Sequence, residues 1–334
     1  MAAASESTLL EILAQGVEVG CSDIHLKVSE PPLYRVNGVL TSRPDAVPLV
    51  PEDTRSLGAI LLARGGYNFK VDQVREFDFA YSARQLGRFR VNLFRTRGSF
   101  AIIIRVIPFT VPRLEQLNLP SVIQRLAMVH RGLILVTGSA GSGKSTTLAA
   151  MIDHINRNRR AHILTIEDPI EYLHRNQQSS LSQREVGTDT QSFVTAFRGA
   201  LRQDPDVVLV GEMRDTESME MALKAAETGH LLLSTLHTTD TAKSINRILS
   251  FFPPESQQEV RLRLADALTA IVCQRLVQRS DRPGRVAALE ILVATDAIRE
   301  CIRDPQKTGS IMQMQERGES YGMQTFDQHI LNLY

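Results

Sequence analysis

Along residues 7–19 the apolar positions Leu9, Leu10, Ile12, Leu13 and Val17 recur at close to the helical period, which predicts an amphipathic helix. The next stretch, SDIHLKV, changes to alternation with Ile24, Leu26 and Val28 on one face, as in a half-buried strand. LYRV and VLTS flank Asn37-Gly38, a dipeptide suited to the positive φ values of a type I′ turn, so a hairpin is expected there. Further on, EFDFAYS alternates and Gly87 interrupts. RFRVNLF then alternates again with Phe89, Val91 and Leu93 on one side, and AIIIRVIP completes the set. Residues 1–107 are therefore expected to form a small α+β domain with an antiparallel sheet. Pro108, Pro112 and Pro120 punctuate a short polar stretch, which reads as a stiff interdomain linker over 108–120, ahead of a second domain over 121–334.

From residue 121 the texture changes. Four short apolar runs, LILVT, HILTI, VVLV and LLLSTL, show no internal alternation and are separated by helix-like segments, the pattern of strands buried on both faces of a parallel sheet. After Thr190, Phe193, Val194, Phe197, Ala200 and Leu201 share one helical face, and that helix must stop before Asp204-Pro205. Residues 217–227 read as a helix ended by Gly229. Beyond Phe252-Pro253-Pro254 the chain reads as mostly helical, about 255–334, with one more possible strand, VAALEIL, after Gly284. An α/β class with a smaller α+β domain in front of it is the result.

Composition narrows the function classes. A chain of 334 residues with 43% hydrophobic and 22% charged positions suits a globular protein of about two domains. Lys+Arg at 38 against Asp+Glu at 37 leaves a net charge of +1, so no overall basic field holds a nucleic acid, and any polyanion must meet a local patch. A RecA-like DNA motor would in addition need aromatic stacking groups along a basic channel, and the chain has no tryptophan and 5% aromatics. No apolar run approaches the ~20 residues that cross a bilayer, and MAAASESTLLEILAQ lacks a basic region followed by an apolar core. A cytosolic chain without membrane insertion is expected. Cys21, Cys273 and Cys301 are odd in number and widely spaced, which favours plain core or surface thiols over a disulfide framework or a zinc site.

The strongest chemical signal is Gly138-Ser139-Ala140-Gly141-Ser142-Gly143-Lys144-Ser145, which fits G-x-x-x-x-G-K-[ST] and lies between the strand LILVT and a helix starting near Lys144. Its glycines let the loop curl so that backbone N–H groups face a phosphate at a helix N-terminus. Ser139, Ala140, Gly141, Ser142, Gly143, Lys144, Ser145 and Thr146 are thus the candidate nucleotide-binding residues, with Lys144 on the terminal phosphates and Ser145 as a Mg²⁺ ligand. Three other apolar runs end in polar groups, where an open α/β sheet places its ligand. HILTI ends in Glu167-Asp168 with Glu171 beyond, VVLV in Gly211-Glu212, and LLLSTL in His237, while His230 precedes that last strand and starts at the far edge. VVLVGE has the form of a Walker B strand whose carboxylate holds Mg²⁺ through water. Glu171 or Glu212 is the candidate group to orient and deprotonate water, a role worth roughly 10²–10⁴ in rate. In the first domain Arg88 and Arg90 lie two apart on one strand face, with Arg105 nearby, and are candidate arginine fingers toward a neighbouring subunit.

At these residues the sequence resembles the type II/IV secretion ATPase superfamily and, within it, the PilT-type retraction ATPases of type IV pili. The segments that carry the resemblance are SDIHL, RFRVN, GSAGSGKSTTLAAM, ILTIEDPIEYLH, RQDPDVVLVGEMRD, ETGHLLLSTLHTT and GMQTFDQ. The resemblance implies a PAS-like N-terminal domain on a RecA-like core, with Glu171 as catalytic base, Glu212 as the Walker B glutamate and His230 and His237 as a histidine pair. It also implies a homohexamer that hydrolyses ATP with Mg²⁺ and pulls on the inner-membrane platform protein of a pilus machine, at the cytoplasmic face of that membrane. A paralogous retraction ATPase is an implied partner, and an accessory retraction or assembly ATPase is the alternative role. Ala297-Ile298-Arg299-Glu300-Cys301-Ile302-Arg303-Asp304 corresponds to the A-I-R-N-L-I-R-E segment of retraction ATPases, with Glu300 and Cys301 as departures. Ile298 and Ile302, four apart, bury one helical stripe, and Arg299 and Arg303 form an adjoining row expected to be free for coupling to the pilus machine.

Overall fold

The computed structural model describes residues 4–36, 38–107, 110–282 and 284–334. Asn37 and Pro108, used above for the hairpin turn and the linker, lie outside the described residues. The chain divides into two compact units, Met1–Thr110 and Val111–Tyr334.

The first unit runs α1 (Glu6–Glu18), β1 (Asp23–Leu26), β2 (Leu33–Val36), β3 (Val39–Thr41), α2 (Pro51–Arg64), β4 (Glu76–Ala83), β5 (Gly87–Thr96) and β6 (Ser99–Ile107). Its strands form one sheet in the order β3-β2-β1-β6-β5-β4. Phe89, Val91 and Leu93 are fully buried and pack with Leu9, Leu13, Leu57 and Leu61 of the helices, so the alternation of β5 is the boundary between a core face and an outer face. Helix α2 was not singled out above, although its start signal is present. Pro51 opens the first turn, and the Asp53 carboxylate accepts from the Val50 N–H (3.0 Å).

The second unit runs α3 (Val122–Ala127), β7 (Gly132–Thr137), α4 (Lys144–Asn158), β8 (His162–Glu167), β9 (Ser180–Glu185), α5 (Phe193–Ala200), β10 (Val207–Val210), α6 (Thr216–Glu227) and β11 (Leu231–Leu236). It continues with α7 (Thr241–Leu249), α8 (Gln257–Ala267), β12 (Leu268–Gln278), β13 (Arg285–Val293), α9 (Asp296–Arg303), α10 (Ile311–Glu316) and α11 (Phe326–Leu333). The sheet order is β13-β12-β7-β11-β10-β8-β9, parallel from β12 to β9 and antiparallel at β13. Apart from His162, its four apolar runs are buried because each face has its own core. Leu133, Leu135, Val208 and Val210 pack toward α5–α9, while Ile134, Val136, Val207 and Leu209 pack toward α3 and α4.

Two expectations are refined. The helical region 255–334 carries α8 to α11 and the strand expected at VAALEIL, which is β13, and it also holds β12, so the central sheet gains two strands. Strand β12 was missed because no Gly or Pro separates Ala267, which ends α8, from Leu268, which starts the strand. The stretch read as linker also holds more than a spacer: Leu114, in a 3₁₀ turn at Leu114–Leu117, is buried in the core of the second unit with Ile123 and Ile155.

Candidate active site

The parallel strands β7, β8, β10 and β11 end at one edge of the sheet, and the segments that follow them line a cleft of about 270 Å³ containing Lys144, Glu167, Glu171, Glu212 and His237. The loop after β7 turns through Gly138, Gly141 and Gly143, all at positive φ (141°, 73° and 89°), and Gly143 is the N-cap of α4. Lys144 folds over that loop, its Nζ donating to Gly138 O (2.9 Å) and Ser139 O (3.0 Å). Burial lowers the lysine pKa, and Glu212 and Glu171 pull it back up, which places both carboxylates within electrostatic reach of the ammonium.

Glu212 follows β10 directly. The Arg214 guanidinium donates to both of its oxygens, at 2.9 Å through Nη2, and His237 Nε2 lies 3.5 Å away at the end of β11. The Arg214 hydrogen bond is the main cause that holds the Glu212 carboxyl below its ordinary pKa, so it is ionised at neutral pH. Thr235 Oγ1 donates to Gly211 O (2.7 Å), which ties the ends of β10 and β11 and so sets Glu212 beside His237.

Glu167 ends β8 and is partly buried in the wall of the cleft. Burial raises its pKa, while Thr165 Oγ1 (2.7 Å), Gln183 Nε2 (3.2 Å) and the Glu171 backbone N–H donate to it. These bonds anchor the turn that carries Glu171, whose own side chain is exposed. Tyr172, next in sequence, has its hydroxyl 2.9 Å from Thr146 Oγ1, joining the same turn to the start of α4.

The cleft thus brings together Lys144, Ser145, Glu171, Glu212 and His237 with loop residues Ala140 and Gly141. It does not include His230. That residue precedes β11 at the opposite edge, roughly 20 Å of strand away from His237. There its Nδ1 lies 3.0 Å from Ala225 O and 3.2 Å from Thr228 Oγ1, a contact that closes the end of α6. The expected histidine pair is therefore split between a cleft residue and one at the far edge. Arg88, Arg90 and Arg105 belong to the first unit and share the outer face of its sheet, Arg90 directly opposite Arg105 across β5 and β6. Arg105 Nε is 3.0 Å from Asp23, Arg90 Nε is 3.9 Å from Asp78, and Arg88 Nη1 reaches Ser82 Oγ at 3.5 Å.

Arg299 and Arg303 are not free. Arg299 Nη1 donates to Ala265 O and to Asp266 O (2.9 Å), and Arg303 Nη2 donates to Asp266 Oδ1 (2.5 Å), so both fasten the last turn of α8. Cys21, Cys273 and Cys301 are buried free thiols, and burial pushes the Cys273 thiol up to about 12. Among the described residues no group of three or more His, Cys, Asp or Glu is arranged to hold a metal ion. No described helix is long and apolar enough to cross a membrane.

Residues 3–283 match the sequence profile of the family described as Type II/IV secretion system protein. A twitching motility protein of Neisseria gonorrhoeae is 50% identical over 258 residues, covering 77% of this chain and 69% of that one. The type IV pilus retraction ATPase PilT of Pseudomonas aeruginosa is 43% identical over 326 residues, 96% of this chain and 92% of that one. Among solved structures, that of the pilus retraction motor PilT with bound ADP superposes with a TM-score of 0.89 at 44% identity, over 97% of this chain and 92% of that one. In sequence and in fold the similarity extends over most of the chain, and the chain belongs to the type II/IV secretion system protein family, in its PilT-type ATPase branch.

Proposed function

We propose that this protein is a motor that hydrolyses Mg-ATP to power retraction of a type IV pilus. It would work as a homohexamer at the cytoplasmic face of the inner membrane, against the platform protein of the pilus machine. The observation that carries the reading is the convergence of Lys144, Glu171, Glu212 and His237 on one cleft at the sheet edge that also holds the phosphate loop. Loop N–H groups and the Lys144 ammonium, lifted from its present bonds to Gly138 O and Ser139 O, take the phosphates. Glu171 accepts a proton from the water that attacks the γ-phosphorus, the bond between that phosphorus and the bridging oxygen breaks, and ADP and phosphate leave. Ser145 and Glu212 fit a magnesium ion that arrives with the nucleotide, since such an ion takes one or two protein oxygens and otherwise water and phosphate. His237 and Arg214, both on Glu212, would respond to loss of the γ-phosphate through that carboxylate.

Purified protein should release phosphate from ATP only with Mg²⁺ present, and Lys144→Ala should keep less than about a tenth of that activity, given the usual worth of a positioned catalytic group. Deleting the gene should leave cells with an excess of surface pili and no twitching. Bald cells would instead identify an assembly motor.

A further inference from the structure

On one face of β12 the amide of Gln274 stands in line with the apolar Ala270, Val272 and Leu276. Ala270 and Val272 pack on the α3 and α4 side of the sheet, and Gln274, two residues on and so on the same face, is only 3% exposed. A buried amide costs free energy unless it is hydrogen-bonded, so its partner shows what it is for. Thr147 Oγ1, itself 1% exposed, donates to Gln274 Oε1 at 2.8 Å. Thr147 lies in the first turn of α4, and its N–H bonds to Gly143 O (3.0 Å). A helical threonine hydroxyl commonly folds back on its own helix. This one reaches across to the neighbouring strand.

The same residue presses on the loop at two further points. A Cβ placed on Gly143 would meet Gln274 Nε2 at 2.7 Å, and one on Gly138 would meet the Gln274 carbonyl oxygen at 2.4 Å. The first and last glycines of the phosphate loop are thus bare where Gln274 approaches. One residue earlier, Thr137 Oγ1 and Cys273 Sγ are 2.7 Å apart, so β12 grips the loop from its entry to the first turn of its helix.

We propose that Gln274 is a positioning residue for ATP hydrolysis: through Thr147 it holds the phosphate loop and the start of α4 in the shape that receives the nucleotide phosphates. The inference rests on the nucleotide-site reading above. Because the loop contacts phosphates equally before and during the reaction, loosening it weakens binding more than it slows chemistry. Gln274 touches no reacting atom; it acts through the loop.

The test uses the full chain and mant-ADP as probe. Gln274→Met and Thr147→Val keep shape and remove the bond from either side. Each should weaken mant-ADP binding and raise KM for ATP by about tenfold, with kcat reduced less than about threefold. The double variant should be no weaker than the worse single variant by more than about twofold, and Thr147→Ser, which keeps the hydroxyl, should bind like wild type. Affinities within twofold of wild type for both single variants, losses that multiply in the double variant, or a fall in kcat at unchanged KM would each overturn the proposal. Unfolding of both single variants would overturn it too, since the bond would then serve the core and not the loop. Lys144→Ala is the control for the underlying reading. If it binds mant-ADP as tightly as wild type, the nucleotide site is misassigned whatever the Gln274 variants do.

Discussion

Glu171 and His174 sit on one turn and make opposite demands of it. In the proposed role Glu171 is exposed so that it can take a proton from water, and its backbone is pinned by Glu167. Glu171→Gln keeps that backbone bond and the side-chain shape while removing basicity. It should lower kcat by roughly 10²-fold with mant-ADP affinity near wild type, measured by phosphate release and by titration. A raised KM at unchanged kcat would make Glu171 a binding group only. His174, three residues on, is drawn inward: its N–H donates to Gln183 Oε1 (2.8 Å), and burial pushes its imidazole down from 6.5 to about 4, against the opposing pull of Asp153. Between those two values the unfolded chain binds a proton that the folded chain refuses, so stability is full above about pH 6.5 and is lost as pH falls toward 4. The whole span is worth roughly 3 kcal/mol. Thermal midpoints compared between pH 7.5 and 5 should therefore fall more for wild type than for His174→Gln, and equal falls would assign the acid sensitivity elsewhere.

At the scale of elements, the helix read as a free coupling surface proves to be a clamp. Ile298 and Ile302 are fully buried, as their spacing required. The arginine row beside them fastens the end of α8 at the point where the chain becomes β12, and Arg261 of α8 returns the contact through Ile302 O (3.0 Å). Arg299→Ala with Arg303→Ala removes charge-assisted bonds to the Ala265 and Asp266 carbonyls and to the Asp266 carboxylate, and should lower the thermal midpoint by roughly 3–6 °C. Because β12 carries Gln274, ATP affinity should fall along with stability, and pilus retraction with both. A double variant with wild-type stability and ATPase activity that abolishes twitching would restore the free-surface reading. The hydrophobic pattern hid this arrangement at the α8–β12 junction, where the period changes without a breaker, yet it disclosed β7, β8, β10 and β11, whose apolar runs are bounded by turns.

For the whole molecule, the open question is what the first unit contributes to ATP turnover. Two guanidinium groups directly opposite each other in a sheet repel, and Asp23 and Asp78 offset this only in part, at 3.0 and 3.9 Å. Such a pair is suited to an anion supplied from outside the unit, as a subunit boundary in a ring would do. In the proposed ring, mixing Arg90→Ala protein with Lys144→Ala protein would join an intact loop to an intact arginine of a neighbour. ATPase activity of the mixture should exceed that of either protein alone, and a mixture that never does so removes Arg90 from the site.

What the sequence by itself determined were features that depend on near neighbours in the chain. The phosphate loop needs its glycines and Lys144 within a few residues, the doubly covered strands need unbroken apolar runs, and the outer face of β5 needs strict alternation. Only the tertiary structure decided features that depend on residues far apart. It gave His230, whose place at the far edge was already legible in the sequence, its partners Ala225 and Thr228 at the end of α6. It also seated Glu167 between Thr165 and Gln183, turned Arg299 from a surface charge into a helix clamp, and set Gln274 against Thr147, 127 positions earlier in the chain. No local pattern encodes these pairings, because burial and hydrogen bonding are settled by which surfaces meet when the sheet assembles.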